Sequence, residues 1–289
     1  MSLKSELPFE TSRVLSPDGS DLALHHFGGS GEPLLICHAT GFHGLAYLPM
    51  VQHLVDHFEV WALDFRGHGA SVVPNNGDFS WEKMGHDVAA VIKAIARGPL
   101  LALGHSMGGA SILRVALHGE AAIESAYLFE PIVFPRALMK GPQQSMMSAV
   151  ARMRRSTFES RTAVLERYGS RPPLNMLDAA SLEAYIEYGF VETNEGEVTL
   201  ACLPEHEART FEAPDKSSLE DLDGLSLPVV IARGALEGDW SPAHASGPAA
   251  DAIVSAQLSV HDDLGHFGPL QAPERIANEA TRWFKTGRL

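Results

Sequence analysis

Ser106 lies at the centre of the segment Gly-His-Ser-Met-Gly-Gly, residues 104–109. An apolar run typical of a buried strand, residues 99–103, precedes it, and an apolar helical pattern through Ile112 and Leu117 follows it. A G-x-S-x-G sequence between a strand and a helix is typical of a tight turn that exposes a nucleophilic serine. There, the dipole and free N–H groups of the helix favour developing negative charge. The alternative interpretation is a glycine-rich turn with an ordinary serine.

A serine hydroxyl needs a general base, and His266 is the best candidate among the fourteen histidines. It lies in the sequence Gly-His-Phe-Gly-Pro, residues 265–269, between the last predicted strand and the closing helix. In a parallel sheet this loop falls at the carboxyl edge, on the same side as Ser106. The other interpretation is a loop histidine with a structural hydrogen bond. His261 ranks lower because it lies nearer the strand.

A second loop, residues 38–44, follows the strand that ends at Cys37 and is rich in small residues. The backbone N–H groups of Thr40 and Met107 could together hold a tetrahedral oxyanion. The alternative is a simple turn in which His38 is packed, and we expect His38 to brace the loop. Residues that flank these loops are predicted to contact the substrate, namely Phe42, His105, Trp240 and Phe267, and for His105 a structural role is the alternative.

The positions of these loops depend on an alternation of strands and helices. Short apolar runs predict strands over residues 33–37, 59–63, 99–103, 227–232 and 256–260, and an Asp-Gly turn joins a hairpin over residues 11–26. Apolar residues at helical spacing predict helices between residues 84 and 95 and after Pro273. Strand, helix and strand in this order favour a mostly parallel sheet with right-handed crossovers.

Strand patterns fade between Pro135 and about Gly224, where the chain has helical and irregular patterns. The simplest organisation is a core domain formed by residues 1–134 and 225–289, with residues 135–224 inserted as a helical cap. Five methionines of this segment either line an adaptable apolar pocket or pack cap against core: Met139, Met146, Met147, Met153 and Met176.

The composition limits the classes of partner. The chain has 289 residues and a formal net charge of −14, without a run of lysine or arginine, which argues against nucleic acid and membrane partners. It has no signal-peptide pattern and no apolar run of the ~18 residues that a membrane span needs. Cys37 and Cys202 lie far apart, so neither a disulfide framework nor a metal site is indicated. We expect a cytoplasmic protein, either a monomer or a homodimer.

These residues together resemble the cap-bearing branch of the α/β-hydrolase superfamily, over nearly the whole chain. Residues 64–71 are similar to the D-x-R-G-H-G-x-S loop of that branch, and residues 38–41 to its H-G-x-P loop, with Ala39 in place of Gly and Gly41 in place of Pro. The resemblance implies a mostly parallel eight-stranded sheet with a helical cap after the sixth strand. A serine at position 106 argues against the aspartate-dependent chemistry of haloalkane dehalogenases and epoxide hydrolases.

The resemblance also implies an acid that orients the histidine, after either the sixth or the seventh strand. Glu130 ends the sixth strand, whereas Glu237 and Asp239 follow the seventh. The usual G-x-x-D spacing would put the acid at position 237, where this chain has Glu, and Asp239 comes two positions late. We favour Glu130, with Asp239 as the second choice and Glu237 as the third.

The sequence thus predicts a serine hydrolase that cleaves a small carboxylic ester or lactone through an acyl-enzyme, without a metal or organic cofactor. The same triad could instead serve C–C bond hydrolysis or cofactor-free perhydrolysis, or the pocket could belong to a ligand receptor with little turnover. Three cap arginines could attract an anionic substrate, although a solvated helix face is the simpler interpretation: Arg152, Arg154 and Arg155.

Overall fold

The computed structural model describes residues 7–74, 77–95, 98–138, 142–236 and 242–289. In these ranges eleven strands are present, which are β1 Glu10–Leu15, β2 Asp21–His26, β3 Pro33–Cys37, β4 Glu59–Leu63, β5 Leu100–His105, β6 Ile123–Phe129, β7 Thr157–Phe158, β8 Phe190–Glu192, β9 Val198–Leu200, β10 Val229–Gly234 and β11 Ala256–His261. The helices described are α1 Leu48–Val51, α2 Trp81–Ile95, α3 Met107–His118, α4 Pro142–Arg152, α5 Arg161–Gly169, α6 Ala179–Gly189, α7 Pro204–Glu212, α8 Ala243–Ala252, α9 Gly268–Gln271 and α10 Pro273–Thr286.

Eight strands form the main sheet, in the order β1-β2-β4-β3-β5-β6-β10-β11. Strand β2 is antiparallel to both of its neighbours, and the other pairs are parallel. The prediction of a mostly parallel α/β sheet flanked by helices is therefore confirmed. Because the parallel strands run in one direction, the loops after β3, β5, β6, β10 and β11 all leave the same edge of the sheet.

Both faces of the sheet are covered by apolar packing. All six residues of β5 are buried, as a continuous apolar run predicts for a central parallel strand. On one face the cluster includes Met84, Val88 and Val91 of α2, and on the other it includes Ile276 and Trp283 of α10. These helical faces hold the sheet rigid, and so fix the directions in which its loops leave. Among the residues described, no helix is long and apolar enough to cross a bilayer.

The chain between β6 and β10 contacts the loop that follows β3 through Tyr185. It contains α4 to α7 and also a small sheet in the order β7-β9-β8. The segment expected to be helical and irregular thus also contains three strands, which have only two or three residues each and are too short to show a period of two. Phe158 and Tyr185 of this segment join the buried cluster that contains Phe42, so the inserted segment packs on the core.

Four methionines of the inserted segment are exposed rather than packed between cap and core. Met146, Met147, Met153 and Met176 are all exposed, with Met153 at 77% exposure. Met139 lies outside the described residues. The interpretation that they pack cap against core is therefore wrong for the four that are described, and the interpretation that they line a pocket stays a prediction.

Candidate active site

Ser106 lies in a strained turn between β5 and α3, at the position predicted from its flanking glycines. Its backbone has φ 55° and ψ −114°, a region that residues other than glycine seldom adopt, and the residue is 5% exposed. A Cβ atom on Gly108 would lie 2.1 Å from the carbonyl oxygen of Cys37. Only glycine at this position allows α3 to approach the end of β3, so the turn brings Ser106 beside the loop that follows β3.

His266 lies in the loop between β11 and α9 and joins two other side chains. Its Nε2 is 3.1 Å from Ser106 Oγ, and its Nδ1 is 2.7 Å from Glu130 Oε2. Because a carboxylate oxygen accepts, Nδ1 carries the proton, which leaves the Nε2 lone pair to accept the Ser106 hydroxyl proton. The imidazole is thus held in the tautomer that a general base needs.

Glu130 is fully buried directly after β6 and also has a left-handed backbone, with φ 45°. Its Oε1 accepts a hydrogen bond of 2.9 Å from the Gly234 N–H, and its own N–H donates to the Ala232 carbonyl at 2.8 Å. Strand β10 therefore fixes both the side-chain carboxylate and the backbone N–H of Glu130. Backbone strain of this kind persists only where the surroundings enforce it. The other two acid candidates, Glu237 and Asp239, lie outside the described residues.

The backbone around Thr40 is held through the peptide that precedes it. The Ala39 carbonyl accepts from His38 Nδ1 at 2.8 Å and from the Phe42 N–H at 3.1 Å. Since a peptide unit is planar, fixing this carbonyl also fixes the Thr40 N–H on the opposite side of the unit. Met107 is the first residue of α3, where a backbone N–H has no acceptor within the helix. Both expected oxyanion donors are thus on rigid backbone.

His38 braces this loop, as expected. Its Nε2 accepts from the Phe65 N–H at 2.9 Å, and burial lowers its pKa to about 3, so the ring stays neutral. Asp64, in the segment that resembles D-x-R-G-H-G-x-S, accepts from the Gly44 N–H at 2.7 Å and the Ala70 N–H at 2.8 Å. Asp64 therefore fixes the backbone of Gly44, the last residue of the oxyanion loop.

Aromatic side chains lie beside these loops. The ring of Phe42 is 5.5 Å from that of Phe267 and 4.9 Å from that of Tyr185, which comes from α6. His105 does not belong to this group of contact residues. Its side chain is fully buried and both ring nitrogens bond to protein atoms, which corrects the expectation that it contacts the substrate. Trp240 lies outside the described residues.

The inserted segment also touches the oxyanion loop through a polar cluster that the sequence did not reveal. Tyr185 Oη donates to the Gly41 carbonyl at 3.3 Å and accepts from Arg154 Nη2 at 2.8 Å. Arg154 in turn pairs with Glu207. These residues are far apart in sequence and follow no motif, so no pattern could have joined them. Arg152 and Arg155 also pair with glutamates at the surface.

A sequence model of the alpha/beta hydrolase family matches residues 34–280, which is most of the chain. The chain belongs to the alpha/beta hydrolase family. The resemblance inferred from the motifs is therefore confirmed, and membership supports a hydrolase activity. Within the described ranges of this hydrolase, no group of three or more His, Cys, Asp or Glu side chains is arranged to hold a metal ion.

The sequences of two similar hydrolases align with most of this chain. (E)-2-((N-methylformamido)methylene)succinate hydrolase of Acinetobacter baylyi is 22% identical, over 95% of this chain and 98% of its own. 2-(Acetamidomethylene)succinate hydrolase of Mesorhizobium japonicum is 26% identical, over 71% of each chain. Protein phosphatase methylesterase 1 of Mus musculus is 34% identical over 119 residues, but the match spans only 30% of its length and 39% of this chain.

Solved structures agree on the fold of this hydrolase. E-2-(acetamidomethylene)succinate hydrolase superposes with a TM-score of 0.81 at 20% identity, covering 96% of this chain and 100% of that one. A thermophilic esterase from Thermogutta terrifontis gives a TM-score of 0.71 at 21% identity, covering 96% and 98%. At these identities the likeness concerns the fold.

Proposed function

We propose that this protein is a serine hydrolase that cleaves a small carboxylic ester or lactone, with Ser106 as nucleophile, His266 as base and Glu130 as the orienting acid. The hydrogen-bonded chain from Ser106 Oγ through the His266 imidazole to Glu130 Oε2 is the observation that carries the proposal. In this chain the imidazole donates to the carboxylate through Nδ1 and can accept the serine proton at Nε2, which is the arrangement that acyl transfer needs.

In the first half of the reaction, Ser106 Oγ attacks the acyl carbonyl carbon while His266 Nε2 takes the hydroxyl proton. The resulting imidazolium is stabilised by the Glu130 carboxylate, and the oxyanion accepts from the N–H groups of Thr40 and Met107. Collapse of the tetrahedral intermediate breaks the bond to the leaving group, which takes the proton from His266. Removal of one oxyanion donor typically lowers kcat by about 10²–10³.

In the second half, His266 removes a proton from water, and the hydroxide oxygen adds to the acyl carbon. The new intermediate breaks its bond to Ser106 Oγ, which recovers the proton from His266 and releases a carboxylic acid. Acyl transfer to water is complete in these steps, and the protein groups return to their starting protonation states.

The charges near the oxyanion loop favour a neutral acyl group. Arg154 is the cation that the inserted segment brings beside Gly41, and its charge is balanced by Glu207. The chain as a whole has a net charge of −14, which disfavours the approach of an anion. Phe267, which is partly exposed and lies 5.5 Å from the buried ring of Phe42, offers aromatic surface instead, on which an apolar acyl or alcohol group can pack.

A second candidate substrate is an amide attached to a substituted methylene succinate, because two relatives that cover most of the chain are named for such compounds. The same nucleophile, base and oxyanion donors serve amide and ester carbonyls alike. A cation would favour binding of the carboxylates of this candidate, and Arg154, the cation described beside Gly41, already pairs with Glu207.

The test is a panel of neutral p-nitrophenyl esters of increasing acyl length, a small lactone, and 2-(acetamidomethylene)succinate, each assayed with the wild-type protein and with Ser106→Ala. We expect turnover of a short ester or the lactone, and its loss in Ser106→Ala. Turnover of the succinate compound alone would transfer the assignment to the second candidate.

Two further results would replace the ester proposal. Cleavage of a dienol ring-fission compound without ester turnover would indicate C–C bond hydrolysis. Tight binding of ligands with no turnover across the panel would indicate a receptor.

A further inference from the structure

His105 and Tyr47 form a buried polar pair beneath the site, and no step of the proposed reaction uses either side chain. Tyr47 ends the 3-10 helix Gly44–Tyr47, and His105 is the last residue of β5. Tyr47 Oη lies 2.7 Å from His105 Nδ1, and both side chains are fully buried. Buried polar groups of this kind are expensive unless every donor and acceptor is paired.

Tyr47 and His105 are each hydrogen-bonded to one loop of the site. His105 Nε2 lies 2.7 Å from the backbone carbonyl oxygen of His266. At the other end, the Ala39 N–H donates to Tyr47 Oη at 3.2 Å. One chain of hydrogen bonds therefore runs from the Ala39 N–H, in the oxyanion loop, to the backbone carbonyl of the residue proposed as the base.

The direction of every proton in this chain is determined. A carbonyl oxygen only accepts, so His105 Nε2 must donate to His266, and the neutral ring then accepts at Nδ1. Tyr47 must consequently donate to His105 and accept from Ala39. Burial lowers the pKa of His105 well below its usual value and raises that of Tyr47, so both remain neutral over the ordinary pH range. All the donors and acceptors in the chain are paired without conflict.

Two loops and the end of one strand are joined by these contacts. Ala39 belongs to the oxyanion loop after β3, His105 directly precedes Ser106, and His266 belongs to the loop after β11. Each of these segments holds one part of the proposed chemistry, and each adjoins a different strand, β3, β5 or β11. A displacement of about 1 Å between reacting groups can lower a rate by about 10².

We infer that Tyr47 and His105 are positioning residues that set the oxyanion loop and the His266 backbone relative to Ser106. The inference rests on the proposed function, since it assigns the two residues to the same reaction. Neither residue touches the substrate. Their effect passes through the backbone of Ala39 and His266, so it should alter the rate of attack by Ser106 rather than binding.

The test is the reaction of Ser106 with a fluorophosphonate in Tyr47→Phe, compared with Tyr127→Phe. Tyr127 is an equally buried tyrosine whose hydroxyl donates to Glu279 Oε1 at 2.8 Å, outside the chain of contacts from Ala39 to His266. We expect the first-order rate at saturating probe to fall about tenfold or more in Tyr47→Phe, with the half-saturating concentration within about twofold of wild type. Tyr127→Phe should keep the wild-type rate, and circular dichroism should show both variants folded.

A wild-type rate in folded Tyr47→Phe would overturn the inference while leaving the proposed function intact, and so would an equal loss in Tyr127→Phe. Absence of wild-type labelling would overturn the proposed function and this inference with it. Should Tyr47→Phe not fold, His105→Leu takes its place, because leucine removes both the acceptor of Tyr47 and the donor to the His266 carbonyl. The same rate loss is then expected, and a wild-type rate would again overturn the inference.

Discussion

Glu130 Oε2 and His266 Nδ1 lie 2.7 Å apart, although 136 residues separate them in the chain. The contact exists because β6 and β11 are parallel to β10, which lies between them, so that the residues after both strands reach the same edge. The buried carboxylate fixes which nitrogen of the imidazole is protonated. The nitrogen that faces Ser106 is therefore free to accept.

Replacement of the carboxylate should impair catalysis far more than stability. In Glu130→Gln the side chain can present an amide N–H to His266 and favour the wrong tautomer, and kcat should fall by about 10⁴, the size of the corresponding loss in a serine protease. Steady-state kinetics on the ester found by the panel gives the value.

Glu279→Gln is the matched control for this change, because Glu279 lies 3.5 Å from His261 in a carboxylate–histidine pair away from Ser106. The control should keep kcat within about threefold of wild type. Comparable losses in the two variants would show that Glu130 is not the orienting acid.

A methyl group on Gly108 should separate the serine turn from the oxyanion loop. The added Cβ would lie 2.1 Å from the Cys37 carbonyl oxygen. Because this oxygen belongs to the backbone of β3 and the Cβ is attached to the backbone of α3, neither atom can move aside easily. Gly108→Ala should therefore lower the free energy of unfolding by roughly 2 kcal/mol or more, as measured by urea denaturation, and should slow the labelling of Ser106.

Gly98→Ala is the comparison variant, since a Cβ on Gly98 would have no atom within 4 Å. Its free energy of unfolding should stay within about 0.5 kcal/mol of wild type. If Gly108→Ala is as stable as Gly98→Ala, the close packing of α3 on β3 is not as described.

Stability should fall as the pH drops below about 6.5, because burial holds several histidines neutral. Burial lowers the pKa of His38 to about 3 and of His68 to about 4, and lowers that of His43 as well. Below the ordinary histidine pKa the unfolded chain binds protons that the folded chain does not, which favours unfolding. His38 and His68 alone should remove about 3 kcal/mol between pH 7.5 and 5.5.

Urea unfolding at the two pH values measures this loss. His68→Asn keeps a donor for the Arg66 carbonyl, which His68 Nδ1 contacts at 3.0 Å, and should reduce the loss by about 1.4 kcal/mol. A free energy of unfolding that is the same at both pH values would contradict the burial of these rings as neutral groups.

The sheet and the turn around Ser106 could be predicted from the sequence because their signals are local. Continuous apolar runs distinguish buried parallel strands, and glycines at positions 104 and 108 predict a close approach of strand and helix. The side of the sheet on which His266 lies then follows from parallel topology alone. None of these steps needs side-chain directions.

The contacts of the inserted segment could not be predicted, because tertiary packing decides them. Tyr185 reaches Gly41 across 144 residues, and Tyr47 reaches His105 across 58, neither within a recognisable motif. The strand Thr157–Phe158 is too short to produce a periodic pattern. The solvent-facing side of α4 likewise carries methionines that resemble core residues in the sequence.

The central claim is that Ser106 is an activated nucleophile, and covalent labelling tests it most directly. Wild-type protein, Ser106→Ala and His266→Gln are each incubated with a fluorophosphonate, and the modified peptide is identified by mass spectrometry. We expect one adduct per chain on Ser106 in the wild type, none in Ser106→Ala, and labelling slowed by at least about 10³ in His266→Gln. Wild-type protein that remains unmodified, or labelling that persists in Ser106→Ala, would contradict the account.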